Sequence, residues 1–563
     1  MSLILKLLNE WAERVGKTLD EDMGRSLSNL LAIEPSLVKN LSGIELLLRT
    51  WHSRLLKACQ AAYLPSEGLL AGFSALCDCS LPAQELFKQW SEYVEEAQNT
   101  QDQEPPAELS NQKEALASLL QAASNPPAPK LSVTAPLFEA LRGIQGWECG
   151  LGGASAHIAK LFGELGLKVC LVNLYHPVEL ARHFPSQTKR LAGWGESKPL
   201  LQDANREQEG APLRTSYIVY YQEGEVLGGL AARATDRVVL RFHHWLGPQS
   251  PSEIKVRDVF GNESAWDFRG TVQGEWPWIP GFVVWKRDDN FLCFEFAPLE
   301  ALETLAREFR YMFLSGLGIN APLGRGPQVA KDALWHQLRH LAENGVKIHF
   351  EFSGKPSLNA GISKWRRSLS DIVFSAGIND GELFHYTELR DCNFSSTKHN
   401  LRNVPRIFER YLRALFLART LKLKRLYVHS NDVDLILLKE ATPGVMRSEV
   451  MADLLAKGLV ILFLLQRIHA DNLEDFLKRA PAEFSKKSFM ALLHFIENFA
   501  KYNKFSEEQK WNFLQQGYWV PSTRGEYAVA IVPVLWPETV LQQIDTTGAG
   551  DITSALSLIF AGP

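Results

Sequence analysis

Apolar residues recur every three to four positions along the first 66 residues, and that spacing predicts amphipathic helices. The opening MSLILKLLNEWAERVGK carries Lys6, Glu10, Glu13 and Arg14 at helical spacing, which distinguishes it from the unbroken apolar stretch of a signal peptide. Near residues 72–78 the pattern shortens to a strand-like run. Residues 98–132 are polar, and Pro105-Pro106 and Pro126-Pro127 bracket one short helix, so this reads as a loop or linker. After Gly152-Gly153 come a helix over 154–165, a glycine and an apolar strand over 168–172. Strands over 311–317, 346–352, 371–375, 425–429 and 529–534 repeat that grammar. Continuously apolar strands alternating with helices predict an α/β fold, a doubly wound and mostly parallel sheet that binds ligands at strand C-terminal ends. Residues 216–221 and 236–242 flank a glycine-rich turn and predict antiparallel strands of a small β lid.

Composition narrows the picture only in part. A chain of 563 residues exceeds one ordinary core, so more than one structural unit is expected. A net charge of -4 gives no electrostatic footprint for nucleic acid, and no apolar run is long enough to span a membrane, so a cytoplasmic protein is the expectation. The 7 cysteines are odd in number and contain no CxxC pair, which indicates neither a disulfide framework nor a zinc site. Cys77 and Cys79 flank Asp78 and are expected to line a strand. The stretch from Trp245 to Trp285 holds five tryptophans; packing of an inserted hairpin or a subunit contact explains it better than a sugar-stacking platform, and it is assigned no chemistry.

The candidate chemistry lies near the C-terminus, in QQIDTTGAGDITSALSLIF. Gly548, Ala549 and Gly550 form a turn that delivers unpaired backbone amides at a helix start, and the helix dipole there also favours an anion. Asp551 follows where a carboxylate can take a proton from a hydroxyl attacking a phosphoryl group. A phosphoryl site needs a divalent cation held through carboxylates. Two strand ends offer them: His349-Phe350-Glu351, whose outer residues share a strand face, and Asn379-Asp380-Gly381-Glu382, whose outer residues share a helix face.

HFE, NDGE and GAGD, in that order, resemble the HxE, NxxE and GxGD motifs of the ADP-dependent sugar kinases, the glucokinases and phosphofructokinases of the ribokinase-like superfamily. The resemblance extends from about Gly72 to the C-terminus. It includes Gly152-Gly153-Ala154 (similar to GGQAG), Phe313-Leu-Ser-Gly (similar to FSG) and Val428-His429-Ser430 (similar to VHT). It implies a helical extension over 1–66 and a ribokinase-like kinase domain over 67–563, with lid strands drawn from about 72–82, 146–153 and 214–244. It implies further that Asp551 is the general base, Gly548, Ala549 and Gly550 the anion hole, and Glu351 and Glu382 the organisers of Mg2+, largely through water. Asn379, His429 and Arg237 would lie near the nucleotide, and Asp78, Gly152 and Gly153 near the sugar.

The departures lie at the sugar end. Ser74 and Leu76 stand for two asparagines, Ala154 for a glutamine and Ser216 for a sugar-binding histidine. A pocket that loses polar partners loses discrimination, so the acceptor need not be glucose. The expected ligands are ADP as donor and a small sugar or sugar phosphate as acceptor. DTTGAGD is closer to the ATP-dependent ribokinase branch, which leaves an ATP-dependent carbohydrate kinase as one alternative. A catalytically silent sugar- or nucleotide-binding protein is another. The oligomeric state is not legible.

Overall fold

A computed structural model describes residues 3–21, 41–61, 67–72, 76–101, 103, 106, 108–125, 130–172, 178–194, 198–206, 214–243, 253–257, 263–267, 282–285, 291–294, 299–315, 328–352, 371–388, 406–469, 472–480, 484–523, 525–541 and 548–562. Ser74 and Asp545 to Thr547 lie outside them. Of the tryptophan-rich stretch and its continuation, two hairpins are described as backbone: Glu253–Arg257 with Glu263–Asp267, and Phe282–Trp285 with Phe291–Phe294.

Short apolar strands form the centre because Val, Ile, Leu and Tyr runs are buried on both faces where helices cover both sides of the sheet. Seven strands run parallel, in the order Arg425–His429, Val373–Asn379, Lys347–Glu351, Phe309–Leu314, Gly68–Gly72, Val169–Val172 and Lys189–Trp194. Antiparallel strands extend both sides: Val433–Lys439, Tyr527–Pro533 and Tyr518–Trp519 beyond one edge, Pro199–Asp203 beyond the other. This is the mixed α/β architecture that the alternation of helices and apolar strands predicts. The helix Pro443–Ile468 is hydrophobic almost all round through its middle turns and packs along the helix Ala549–Ala561, and there it is buried on nearly every side. The two N-terminal helices, Leu3–Glu21 and Leu41–Gln60, bury Leu8, Trp11, Val15, Trp51 and Leu55 in the same core as the sheet.

A second sheet has six strands among the described residues, in the order Glu108–Leu109, Lys130–Val133, Asp236–His243, Arg214–Tyr221, Leu76–Pro82 and Glu148–Gly152. Residues 98–132 are therefore not a plain linker. They supply two strands of this sheet and the helix Gln112–Ser124, whose Leu116, Leu119 and Leu120 are fully buried beneath it. The two strands are short, so periodicity alone does not show them. Cys77, Cys79, Tyr217, Val219 and Tyr221 face that helical layer, while Asp78, Ser80 and Ser216 alternate onto the opposite face. Cys79 and Cys149 stand directly opposite each other on adjacent antiparallel strands and form a disulfide. Residues 70 apart in sequence become partners only through strand pairing, which is why cysteine spacing did not reveal the bridge. Among the described residues no helix is long and apolar enough to cross a membrane.

Candidate active site

Parallel register brings the motif residues to one sheet edge. Glu351 ends its strand opposite Gly377, and Asn379 pairs with His429 at the ends of the next two strands. The helix Ala549–Ala561 crosses these strands and brings its N-terminus to the same edge. Gly548 precedes it with φ +76°, a left-handed conformation that suits glycine, and no side chain caps the helix start. The first-turn amides therefore lack intrahelical partners, and Asp551 stands among them.

Glu351 is the hub of a buried polar cluster. His429 Nε2 lies 2.9 Å from Glu351 Oε1 and 3.6 Å from Asp551 Oδ1. Ser554 Oγ donates to Glu351 Oε2 at 2.8 Å, and His349 Nε2 lies 3.0 Å from the same oxygen. On the far side of the imidazole, His349 Nδ1 lies 2.9 Å from Ser375 Oγ, which accepts a hydrogen bond from Arg425 Nη1 at 3.1 Å. The ionised Glu351 carboxylate can only accept, so Nε2–H of the neutral His349 donates to it, and Nδ1 is left to accept from the Ser375 hydroxyl. Arg425 is fully buried and paired with Glu449 through contacts of 2.9–3.1 Å.

The electrostatics follow from this wiring. Burial alone would raise the Glu351 carboxyl, but hydrogen bonds from His349 and His429 outweigh it and hold the group at about 2. Burial lowers His349 and keeps it neutral. Burial also opposes charge on His429, yet its hydrogen bond to Glu351 and the carboxylates around it raise it overall. Asp551 is pushed well above the usual carboxylate range by burial first, then by the charge of Glu351, with Glu382 adding and His429 opposing. Its side chain keeps 29% of its surface exposed, so solvent moderates the effect of burial. A carboxyl raised in this way, at the mouth of a cavity, has the character of a general base.

Two close approaches call for glycine beside the cluster. A side chain at Gly550 would collide with the His429 ring, and one at Gly377 would collide with the Glu351 carboxylate. Asn379 and Glu382 cap the helix Asp380–Glu388 reciprocally: Glu382 N donates to Asn379 Oδ1 at 2.8 Å, and Asn379 N to Glu382 Oε2 at 3.3 Å. The cap holds the Glu382 carboxylate close enough to Asp551 for its charge to be felt.

A cavity of about 1020 Å³ opens at this edge. Gly548, Ala549, Gly550 and Asp551 line one side of it, and Asn379, Asp380, His429 and Ser430 another. Arg406, Arg410, Lys457 and Lys487 bring positive charge to its walls. Arg410 is clamped by Asp432 at 2.9 Å and Asp380 at 3.2 Å, and Lys457 by Asp434 at 3.1 Å. Glu351, His429 and Asp551 each present a ligand atom within 4.8 Å of the others. Mg2+ prefers oxygen donors and keeps its waters, so the carboxylates of this cluster, with Glu382 beside them, fit a cation held mainly through water.

The sugar-end residues lie on the six-stranded sheet and at its junction with the large one. The Asp78 carboxylate occupies the space a side chain at Gly152 would need. Gly153 opens the helix Ala154–Glu164, which is tied to the large sheet by Ser155 Oγ, 3.0 Å from Ser315 Oγ. Arg237 faces Tyr220 on the same side of the small sheet as Asp78. It stands four residues away, about 13 Å along the strand. The rung of Asp78 and Ser216 is completed by Arg241.

Sequence reasoning left out Ser375, Ser554 and the Arg425–Glu449 pair, and gave His349 no role. Ser554 was within reach, being three residues after Asp551 and so on the same helix face.

Motifs at these strand ends coincide with a match to a family model. Residues 328–560 match the conserved region of the ADP-specific phosphofructokinase/glucokinase family. HFE, NDGE, VHS and GAGD all fall within it. No curated protein matches the chain by sequence. Among solved structures, the last common ancestor of ADP-dependent phosphofructokinases from Methanosarcinales superposes with a TM-score of 0.62 at 15% identity, over 91% of this chain and 97% of that one. An ADP-dependent kinase in complex with fructose-6-phosphate and ADPβS gives 0.62 at 16% identity, over the same 91% and 97%. A hypothetical ADP-dependent phosphofructokinase from Pyrococcus horikoshii OT3 gives 0.57 at 16%, over 88% and 98%. At these identities the likeness is one of fold, here the ribokinase-like fold.

Proposed function

We propose that this protein is a magnesium-dependent kinase that transfers a phosphoryl group from ADP to a hydroxyl of a sugar or sugar phosphate, with Asp551 as general base. The observation that carries the reading is the convergence of Asp551, the uncapped helix start at Gly548 and His429, backed by the buried Glu351, on a cavity that also presents Arg406, Arg410, Lys457 and Lys487. Support for the donor comes from the matched family region, and support for a sugar-phosphate acceptor from the fructose-6-phosphate bound in one structural relative.

Residue by residue, the chemistry is as follows. The free amides at Gly548–Gly550 receive the oxygens of the transferring group, with the helix dipole favouring their charge. Asp551 takes the proton of the attacking hydroxyl; its raised affinity for protons makes it a stronger base than an ordinary carboxylate. Glu351, charged and rigidly held, sustains that affinity, and His429 keeps the two carboxylates from repelling each other apart. Glu351 and Glu382 would hold Mg2+ through water, and the ion would neutralise charge on the phosphates. Arg406, Arg410, Lys457 and Lys487 draw the polyphosphate into the cavity. Asp78 accepts hydrogen bonds from sugar hydroxyls, and the small sheet closes over them to exclude water.

Turnover with ADP and with ATP, each against glucose, fructose-6-phosphate and related sugars, tests the reading. Activity with ADP and one of the acceptors is expected. Activity with ATP alone would make the protein an ATP-dependent kinase, and nucleotide binding without transfer to any sugar would make it a binding protein.

A further inference from the structure

The N-terminal helix, which contributes no side chain to the chemistry above, meets the donor cavity from behind. Trp11 lies flat on Trp536, with ring centroids 3.9 Å apart and an interplanar angle of 4°. Both indoles are buried at 2% exposure. Trp536 belongs to the turn after the strand Tyr527–Pro533, and its neighbours Val534, Glu538 and Leu541 line the cavity. Leu8, three residues before Trp11 and on the same helix face, seats on Gly458, where an added Cβ would come within 2.8 Å of it. Lys457, Val460 and Ile461, beside Gly458, line the same cavity. One helix face therefore grips two of the cavity walls.

The turn over 534–541 has two further tethers. Val534 N donates to the Asp432 carbonyl at 3.1 Å, and Glu538 Oε1 accepts from Ser485 Oγ at 2.7 Å and from Lys487 N at 3.0 Å. Each of these ties the turn to other cavity-lining residues. Trp11 ties it to the N-terminal helix, outside the cavity lining.

We propose that Trp11 and Leu8 are positioning residues for the donor: they hold the 534–541 turn and the helix Pro443–Ile468 at the separation a nucleoside diphosphate fills. Trp536 is too buried to touch a ligand and acts through Val534, Glu538 and Leu541. This inference rests on the nucleotide reading of the cavity, and it assigns the N-terminal helices a task in donor binding.

Calorimetric titration of the full chain with ADP tests it, alongside thermal unfolding and the acceptor KM, for the wild type, Trp11→Ala, Trp11→Phe, Leu8→Ala and Trp51→Phe. Trp51 is equally buried but packs on Gly517, outside the cavity lining, so its variant reports loss of stability alone. Losing pre-organisation at Trp11→Ala should weaken ADP binding about fivefold or more and leave the acceptor KM within about twofold, with Trp11→Phe restoring most of the loss. Trp51→Phe should lower Tm and leave ADP affinity unchanged. Should Trp11→Ala not fold, Leu8→Ala replaces it, with the same direction expected. ADP affinity unchanged in the folded Trp11 or Leu8 variant, or reduced equally by Trp51→Phe, overturns the inference. A wild type that binds no nucleotide overturns the nucleotide reading itself.

Discussion

Glu351 shows how far one side chain can be specified. Both its oxygens are hydrogen-bonded, it is 1% exposed, and a glycine in the neighbouring strand makes room for it. Its charge acts on Asp551 across His429, whose own positive charge pulls in the opposite direction. The sign of a pH effect follows. Asp551 must be deprotonated to act as a base, and its affinity for protons is raised, so the acid limb of kcat/KM should lie above the usual carboxylate range. His429→Asn removes the group that lowers Asp551 and should move that limb to still higher pH. A limb that stays in place or moves to lower pH in the variant would show that His429 does not govern Asp551.

The polar chain does not stop at the cavity. Glu449 on one helix, Arg425 and Ser375 on adjacent strands, and His349 on the next form a continuous buried path to Glu351. Ser557, on the helix that carries Asp551, joins it by accepting from Arg425 Nη2 at 2.9 Å. Breaking a buried ion pair strands the remaining charge, so Glu449→Ala should destabilise the fold by about 3–5 kcal/mol, read from urea unfolding. Replacing both partners together, Arg425→Met with Glu449→Leu, should recover most of that loss. A single variant as stable as the wild type would mean that Arg425 finds another partner.

At this scale the limits of sequence reading become physical. HFE, NDGE and GAGD are legible because strand ends and a helix start concentrate polar residues where ligands bind. Arg425 and Glu449 are not, since each is one charge in an ordinary strand or helix until the sheet brings them together. The strands at 108–109 and 130–133 are too short to show a period, and prolines on either side favour a loop reading. Trp11 and Trp536 carry no local signal of their stacking, because their contact depends wholly on how the N-terminal helix docks.

Among the described residues, two hydrophobic cores divide the labour: a large one around the main sheet and a small one beneath the six-stranded sheet. The Cys79–Cys149 disulfide ties the strand carrying Asp78 to the edge strand ending at Gly152. Closing a loop between residues 70 apart should contribute about 4 kcal/mol to the folded six-stranded sheet. Cys149→Ser should therefore raise the acceptor KM and lower the thermal midpoint, with a smaller effect on ADP affinity. An acceptor KM equal to the wild type's would show that lid geometry does not depend on the bridge.

The most direct measurement is the Asp551→Asn variant, followed by steady-state transfer to the preferred acceptor and by ADP titration on the same preparation. Loss of the base should cut kcat by about 10²–10⁴-fold. ADP affinity should stay within a few-fold, since Asn keeps the shape of the helix start. Undiminished transfer by Asp551→Asn would contradict the assignment of this cavity as the place where the phosphoryl group moves.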